Sequence, residues 1–128
     1  MNPREKIESY LVRLSLSFQE SHGTWVVSDA QRGLQNLIIA LTVSLVIMRM
    51  NVMEVPPRGR EKLFEELLRL NATDLVHGAY GIEGDTIILI DTLEADGMGL
   101  EEFEASLDAI GLAVAQHYRN LSSYRLKA

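Results

Sequence analysis

LVIMRMNV, residues 45–52, is the stretch that decides the fold. In an extended chain, successive side chains point to opposite faces of a sheet. One face of this segment carries apolar side chains, Val46, Met48, Met50 and Val52, and the other is mixed, with Leu45, Ile47, Arg49 and Asn51. We therefore predict a strand with one side in the core and a second side that is only partly polar.

Two other stretches share this two-sided pattern, the run IILI at residues 87–90 and the pair Ile38-Ile39. Strands that are apolar on both faces belong to sheets that are covered on both sides. Three helices, one of them short, are few for a five-stranded sheet, so we expect some apolar surface to remain for a partner chain. The alternative is that sheet twist lets the helices cover both faces, and the pattern alone does not decide between them.

The remaining elements follow from hydrophobic periodicity. A first helix after Pro3 carries Ile7, Leu11, Leu14 and Phe18 on one stripe. Strands are predicted at residues 24–28, 34–41, 45–53, 75–82 and 86–93, and further helices at residues 61–70 and 100–118. The order α-βββ-α-ββ-α predicts a single α+β domain over residues 1–128, a twisted antiparallel sheet with helices packed against it.

Composition excludes several classes of function. The 128 residues carry a formal charge of -6, which repels phosphate backbones and anionic lipid surfaces, so neither nucleic acid nor a membrane is an expected partner. The chain has no cysteine and therefore no disulfide and no thiolate metal site. Residues 33–48 are uncharged but shorter than the about 20 residues of a membrane span, and the charged N-terminus lacks a signal peptide's apolar core. We expect a cytoplasmic protein.

The sequence offers no catalytic, metal or cofactor site. Gly97-Met98-Gly99 precedes a helix as a dinucleotide loop would, but Glu102 stands where the third glycine belongs. The three histidines, His22, His77 and His117, have no zinc-ligand spacing. We therefore expect a non-enzymatic protein without cofactors.

Several motifs together resemble the type III secretion chaperone-like superfamily, which includes the CesT-type secretion chaperones and the YbjN-type domains. They are the helix end LLRLNA at residues 67–72, the strand end Val55-Pro56-Pro57, the turn at Gly84-Asp85 and an acidic final helix. Trp25 in the first strand and the segment at residues 52–56 are similar to the YbjN branch.

The resemblance implies a protein-binding domain, chaperone-like or regulatory, that acts as a homodimer and holds a partner polypeptide or secretion substrate. It places the dimer interface at Leu63, Phe64, Leu67, Ile88 and Ile90. It places the partner-binding surface at Ile7, Leu11, Leu14, Leu45 and Ile47. Two alternatives stay open: a small-molecule-sensing module with a pocket between the last helix and the sheet, and an enzyme with a dispersed active site.

Overall fold

The computed structural model describes residues 1–125 of the chain. The elements in chain order are α1 (Pro3–Arg13), β1 (Phe18–Ser21), β2 (Thr24–Asp29), β3 (Leu34–Leu41), β4 (Leu45–Glu54), α2 (Arg60–Thr73), β5 (Ala79–Glu83), β6 (Thr86–Glu94) and α3 (Leu100–Ser122). The predicted α+β architecture is confirmed, with one more strand than the sequence indicated.

The additional strand exists because α1 is shorter than predicted. The helix begins at Pro3, and the side chain of the capping residue Asn2 accepts a hydrogen bond from the Glu5 N–H at 2.8 Å. It ends in a Schellman motif: the Ser15 N–H donates to the carbonyl of Val12, the Leu16 N–H donates to that of Leu11, and Ser15 has φ +59°. The prediction that Phe18 continues the helix is wrong; Phe18 opens β1.

The six strands form one antiparallel sheet in the order β1-β2-β3-β4-β6-β5. The β3–β4 hairpin turns through residues 42–44, as predicted. In β4 the pairing with β6 shifts between Asn51 and Met53, so this strand contains a bulge at which both Val52 and Met53 pack on the core. Strand β5 begins at Ala79 rather than at residue 75, because α2 continues to Thr73 before the chain turns back to the sheet.

All three helices pack on one face of the sheet. The Tyr10 hydroxyl of α1 donates to the carbonyl of Met98 at 2.9 Å, and the Tyr10 ring lies 5.5 Å from the Phe103 ring of α3. Trp25 of β2 donates to Glu8 of α1 at 3.2 Å. The helices therefore form a single layer over the sheet, and the core lies between the two layers.

A glycine sets the distance between α3 and the turn that joins β2 to β3. A Cβ atom at Gly111 would lie 1.8 Å from the carbonyl oxygen of Arg32. The Arg32 guanidinium bonds to Glu104 at 3.1 Å and to Asp108 at 2.6 Å, which clamps the turn onto the helix. Close backbone approach at this point requires glycine.

Candidate protein-binding surfaces

The two faces of the sheet differ in whether helices pack on them. The face under the helices, here called the covered face, presents side chains that are at most 8% exposed: Trp25, Val27, Leu37, Ile39, Val46, Met48, Met50, Met53, Tyr80, Ile87 and Leu89. Asp91 also lies on this face, where its carboxylate accepts a hydrogen bond from the buried Ser106 of α3. Strand alternation sends the intervening residues to the other side.

That other side, here called the open face, is aliphatic across four strands. Its apolar residues are Val26, Ile38, Ala40, Leu45, Ile47, Ile88 and Ile90. Within residues 1–125 none of them belongs to the core cluster or is packed against it. Ile88 lies on this face and is only 6% exposed. In the part of the chain that the structure describes, no helix lies over the open face, whose aliphatic side chains form a continuous, mostly half-buried apolar surface.

One charged residue lies in the middle of the open face. Arg49 of β4 is paired with Ile38 on one neighbouring strand and with Ile90 on the other. Its Nη1 bonds to the carboxylate of Glu83 at the end of β5. The side chains of Arg49 and Glu83 are 35% and 56% exposed, so solvent screens this ion pair and it stabilises the fold little.

A second apolar surface lies where α2 meets the edge strand β5. This edge groove, of about 290 Å³, is lined by Phe64, Leu67, Leu68, Asn71, Tyr80, Gly81 and Ile82. Leu68 is 68% exposed and Ile82 is 51% exposed. Together with the apolar groove they form one contiguous apolar patch, which makes this edge a candidate interaction surface.

Asn71 closes part of the outer edge of β5. Its Oδ1 accepts from the Tyr80 N–H at 2.7 Å and its Nδ2 donates to the Tyr80 carbonyl at 3.2 Å. The Tyr80 backbone groups therefore point away from β6 and are bonded as if a further strand were present. An unpaired strand edge invites association with other chains, and Asn71 blocks it at this position.

A partly buried hydrogen-bond chain supports the same edge. The Tyr80 hydroxyl lies 2.7 Å from Nδ1 of His117, and Nε2 of His117 lies 3.3 Å from a carboxylate oxygen of Asp74. Burial, together with the charge of Asp74, raises the pKa of Tyr80 to about 12, so the phenol stays protonated near neutral pH. The chain joins β5, α3 and the end of α2, and no pattern in the sequence indicated it.

The residues predicted for a dimer interface separate into three environments. Leu63 is fully buried in the core. Phe64 and Leu67 line the edge groove. Ile88 and Ile90 lie on the open face of β6. Of this set, Phe64 and Leu67 alone lie in the edge groove, and assignment of the set to a dimer interface stays a prediction.

The residues predicted for partner binding are also divided. Ile7 and Leu11 of α1 are 0% exposed, because the apolar stripe of this helix packs on the sheet. Their assignment to a partner-binding surface stays a prediction. Leu14 is half-buried against the core, whereas Leu45 and Ile47 lie on the open face.

Residues with metal or cofactor chemistry do not converge in the described part of the chain. Among residues 1–125, no group of three or more His, Asp or Glu side chains is arranged to hold a metal ion. Met98, in the glycine-containing loop, is 2% exposed and holds Tyr10 through its carbonyl, so this loop serves packing. None of the helices in residues 1–125 combines the length and apolar character that a membrane span requires.

The sequence matches the CesT_Tir_1 family model over residues 1–127. No curated protein matches it.

Several solved structures share the fold at low sequence identity. YbjN from E. coli, a suggested transcription regulator, has a TM-score of 0.68 at 17% identity, with 91% of each chain covered. A chain of the heterodimeric ExoU–SpcU complex from the type III secretion system of Pseudomonas aeruginosa has a TM-score of 0.62 at 10% identity, covering 86% of this chain and 93% of that one. A chain of the HopA1–SchA chaperone–effector complex has a TM-score of 0.63 at 8% identity, covering 95% and 91%.

Proposed function

The chain belongs to the CesT_Tir_1 family, and from that premise we propose that it is a non-enzymatic, chaperone-like domain that holds a segment of a partner polypeptide. Two structures that share its fold come from complexes, one heterodimeric and one of a chaperone with its effector. Fold likeness alone does not establish a role, so the proposal rests on a surface of this chain.

The open face carries the proposal. Its seven aliphatic residues stand apart from the core in residues 1–125, and they form one continuous surface because neighbouring strands present them in register: Val26 opposite Ile38, and Ala40 opposite Ile47. Covering such a surface with apolar side chains of a partner removes it from water, which is the main favourable contribution in most protein association.

Binding to selected peptides tests this proposal. Peptides of about 15 residues suffice, because at about 3.3 Å per residue an extended peptide of that length spans about 50 Å, whereas six strands cover roughly 24 Å. We expect a displayed random library to yield aliphatic-rich binders, and Ile38→Asp to weaken their affinity about tenfold or more. Val12→Asp is the matched control, since Val12 is 66% exposed on α1, away from the open face. A library without enriched binders, or a folded Ile38→Asp protein that binds like wild type, contradicts the proposal.

We further propose that the protein is a homodimer through the edge groove. The exposed Leu68 and Ile82 border the groove, and a second copy would bury both. Light scattering on the purified protein is expected to give twice the monomer mass of 14.3 kDa, and Leu68→Glu is expected to give the monomer mass. A wild-type monomer at micromolar concentration contradicts the dimer and leaves the open-face proposal intact.

A small-molecule pocket stays the alternative. Phe103, Leu107 and Ile110 of α3 are 0% exposed and fill the space between that helix and the centre of the sheet, whereas a cleft lies beside α3 at the β2–β3 turn, lined by Arg32, Glu104 and Asp108. A cytoplasmic location stays part of the proposal.

A further inference from the structure

Arg49 and the carboxylates around it give the open face a distinct charge pattern. Arg49 lies centrally, between Ile38 and Ile90. Strand pairing assigns Glu54, Glu83 and Glu94 to the same face, and each of them lies at a strand end. The open face therefore combines a basic centre, an aliphatic surround and an acidic rim.

The Arg49 guanidinium has more N–H donors than its bond to Glu83 uses. A guanidinium carries five N–H donors in a planar fork that matches a carboxylate. Within residues 1–125 Arg49 bonds to Glu83 through Nη1. Glu83 is more than half exposed on the edge strand, so a competing carboxylate can reach Arg49 without displacing buried structure.

When a partner segment covers the open face, the Arg49 guanidinium needs hydrogen-bond acceptors from that partner. In the free protein, the Arg49 side chain is 35% exposed, so the donors that Glu83 does not take are open to solvent. A partner segment that excludes this water leaves a desolvated cation, which is costly unless the segment supplies acceptors in good geometry. A carboxylate satisfies a guanidinium with two parallel hydrogen bonds and a charge, more strongly than a neutral acceptor does.

We propose, building on the function proposed above, that Arg49 makes the open face selective for aliphatic segments with one central carboxylate and basic residues towards the ends. The central carboxylate pairs with Arg49, and the basic ends lie near Glu54, Glu83 and Glu94. The chain's net charge of -6 disfavours uniformly acidic partners, so the carboxylate is a single anchor and not part of an acidic run.

Library selection with three proteins tests this selectivity: wild type, Arg49→Gln and Arg49→Lys. Wild type is expected to enrich Asp or Glu within an aliphatic core, Arg49→Gln to lose that enrichment, and Arg49→Lys to keep it in part, because lysine retains the charge without the planar fork. Circular dichroism verifies that each variant is folded.

A selected peptide then enters a double-mutant cycle by calorimetry. Replacing its central Glu by Gln is expected to weaken binding to wild type about tenfold and binding to Arg49→Gln little, with the wild-type preference falling as salt rises. Glu83→Gln is expected to increase the preference for the Glu peptide, because it removes the intramolecular competitor.

The outcomes separate the two proposals. Aliphatic binders that show no acidic enrichment, or an equal loss for the Gln peptide on both proteins, refute the role of Arg49 while leaving the proposed function standing. Such a result would mean that Glu83 or backbone carbonyls satisfy the guanidinium in the complex. Absence of any binder refutes the proposed function itself.

Discussion

Replacing Gly111 by alanine probes the contact that holds α3 on the sheet. The added Cβ would lie 1.8 Å from the carbonyl oxygen and 3.0 Å from the carbonyl carbon of Arg32. Both partners are backbone, so no change of rotamer can relieve the overlap. The turn at Arg32 or the helix must move by more than about 1 Å to restore a van der Waals distance.

The change in the free energy of unfolding that Gly111→Ala causes is the difference between two opposing effects. Overpacking a buried contact costs about 1–3 kcal/mol, and we expect the upper end because Glu104 and Asp108 restrain the turn. Alanine in a helix interior is more favourable than glycine by about 1 kcal/mol. The free energy of unfolding is therefore expected to fall by about 2 kcal/mol, with a drop in Tm of roughly 6–10 °C.

Urea denaturation followed by circular dichroism measures this difference. Ala105→Gly, at an exposed position of the same helix, isolates the helix-propensity contribution and is expected to cost about 1 kcal/mol. If Gly111→Ala is as stable as wild type or more stable, the close approach at Arg32 does not constrain the fold and the reasoning is refuted.

Three further predictions concern the two faces and the strand edge. Asn71→Ala removes both bonds to the Tyr80 backbone and should lower the free energy of unfolding by about 2 kcal/mol, against almost no change for the exposed Asn120→Ala, as urea titration would show. The pKa of Tyr80 is raised from 10.0 to about 12, so the neutral phenol contributes its full stabilisation below pH 10. About 3 kcal/mol of the free energy of unfolding is then lost as the pH rises to 12. In unfolding curves at alkaline pH, Tyr80→Phe should remove that loss. Ile39→Ala on the covered face should cost about 2–5 kcal/mol and Ile38→Ala on the open face about 1 kcal/mol, and equal costs would contradict the assignment of faces.

Local patterns account for most of the fold. Period-two alternation located five strands, and period-three-and-four repeats located α3 and most of α2, because each depends on side chains only a few residues apart. The end of α1 was missed because a serine, and not the usual glycine, adopts the left-handed conformation at Ser15.

The candidate surfaces were only partly predictable. Apolar residues on both faces of β4 and β6 were compatible with uncovered surface as well as with complete burial, and the open face corresponds to the first of these. The sequence did not indicate which face of the sheet stays open. The apolar residues Ile7 and Leu11 of α1 have the same periodicity whether that helix packs on the sheet or on a partner. The hydrogen bonds of Asn71 and His117 were also not predictable from the sequence. The partner of Asn71 lies 9 residues away, and the partners of His117 lie 37 or more residues away.

The sequence by itself determined the α+β class, the position of nearly every element and the two-sided character of the strands at residues 45–52 and 87–90, since these properties depend on neighbours along the chain. The tertiary structure alone decided that all three helices share one face, that Gly111 meets Arg32, and that Arg49 lies within an aliphatic surface. These features arise from packing between distant segments, where shape and burial choose among arrangements that local patterns leave equivalent.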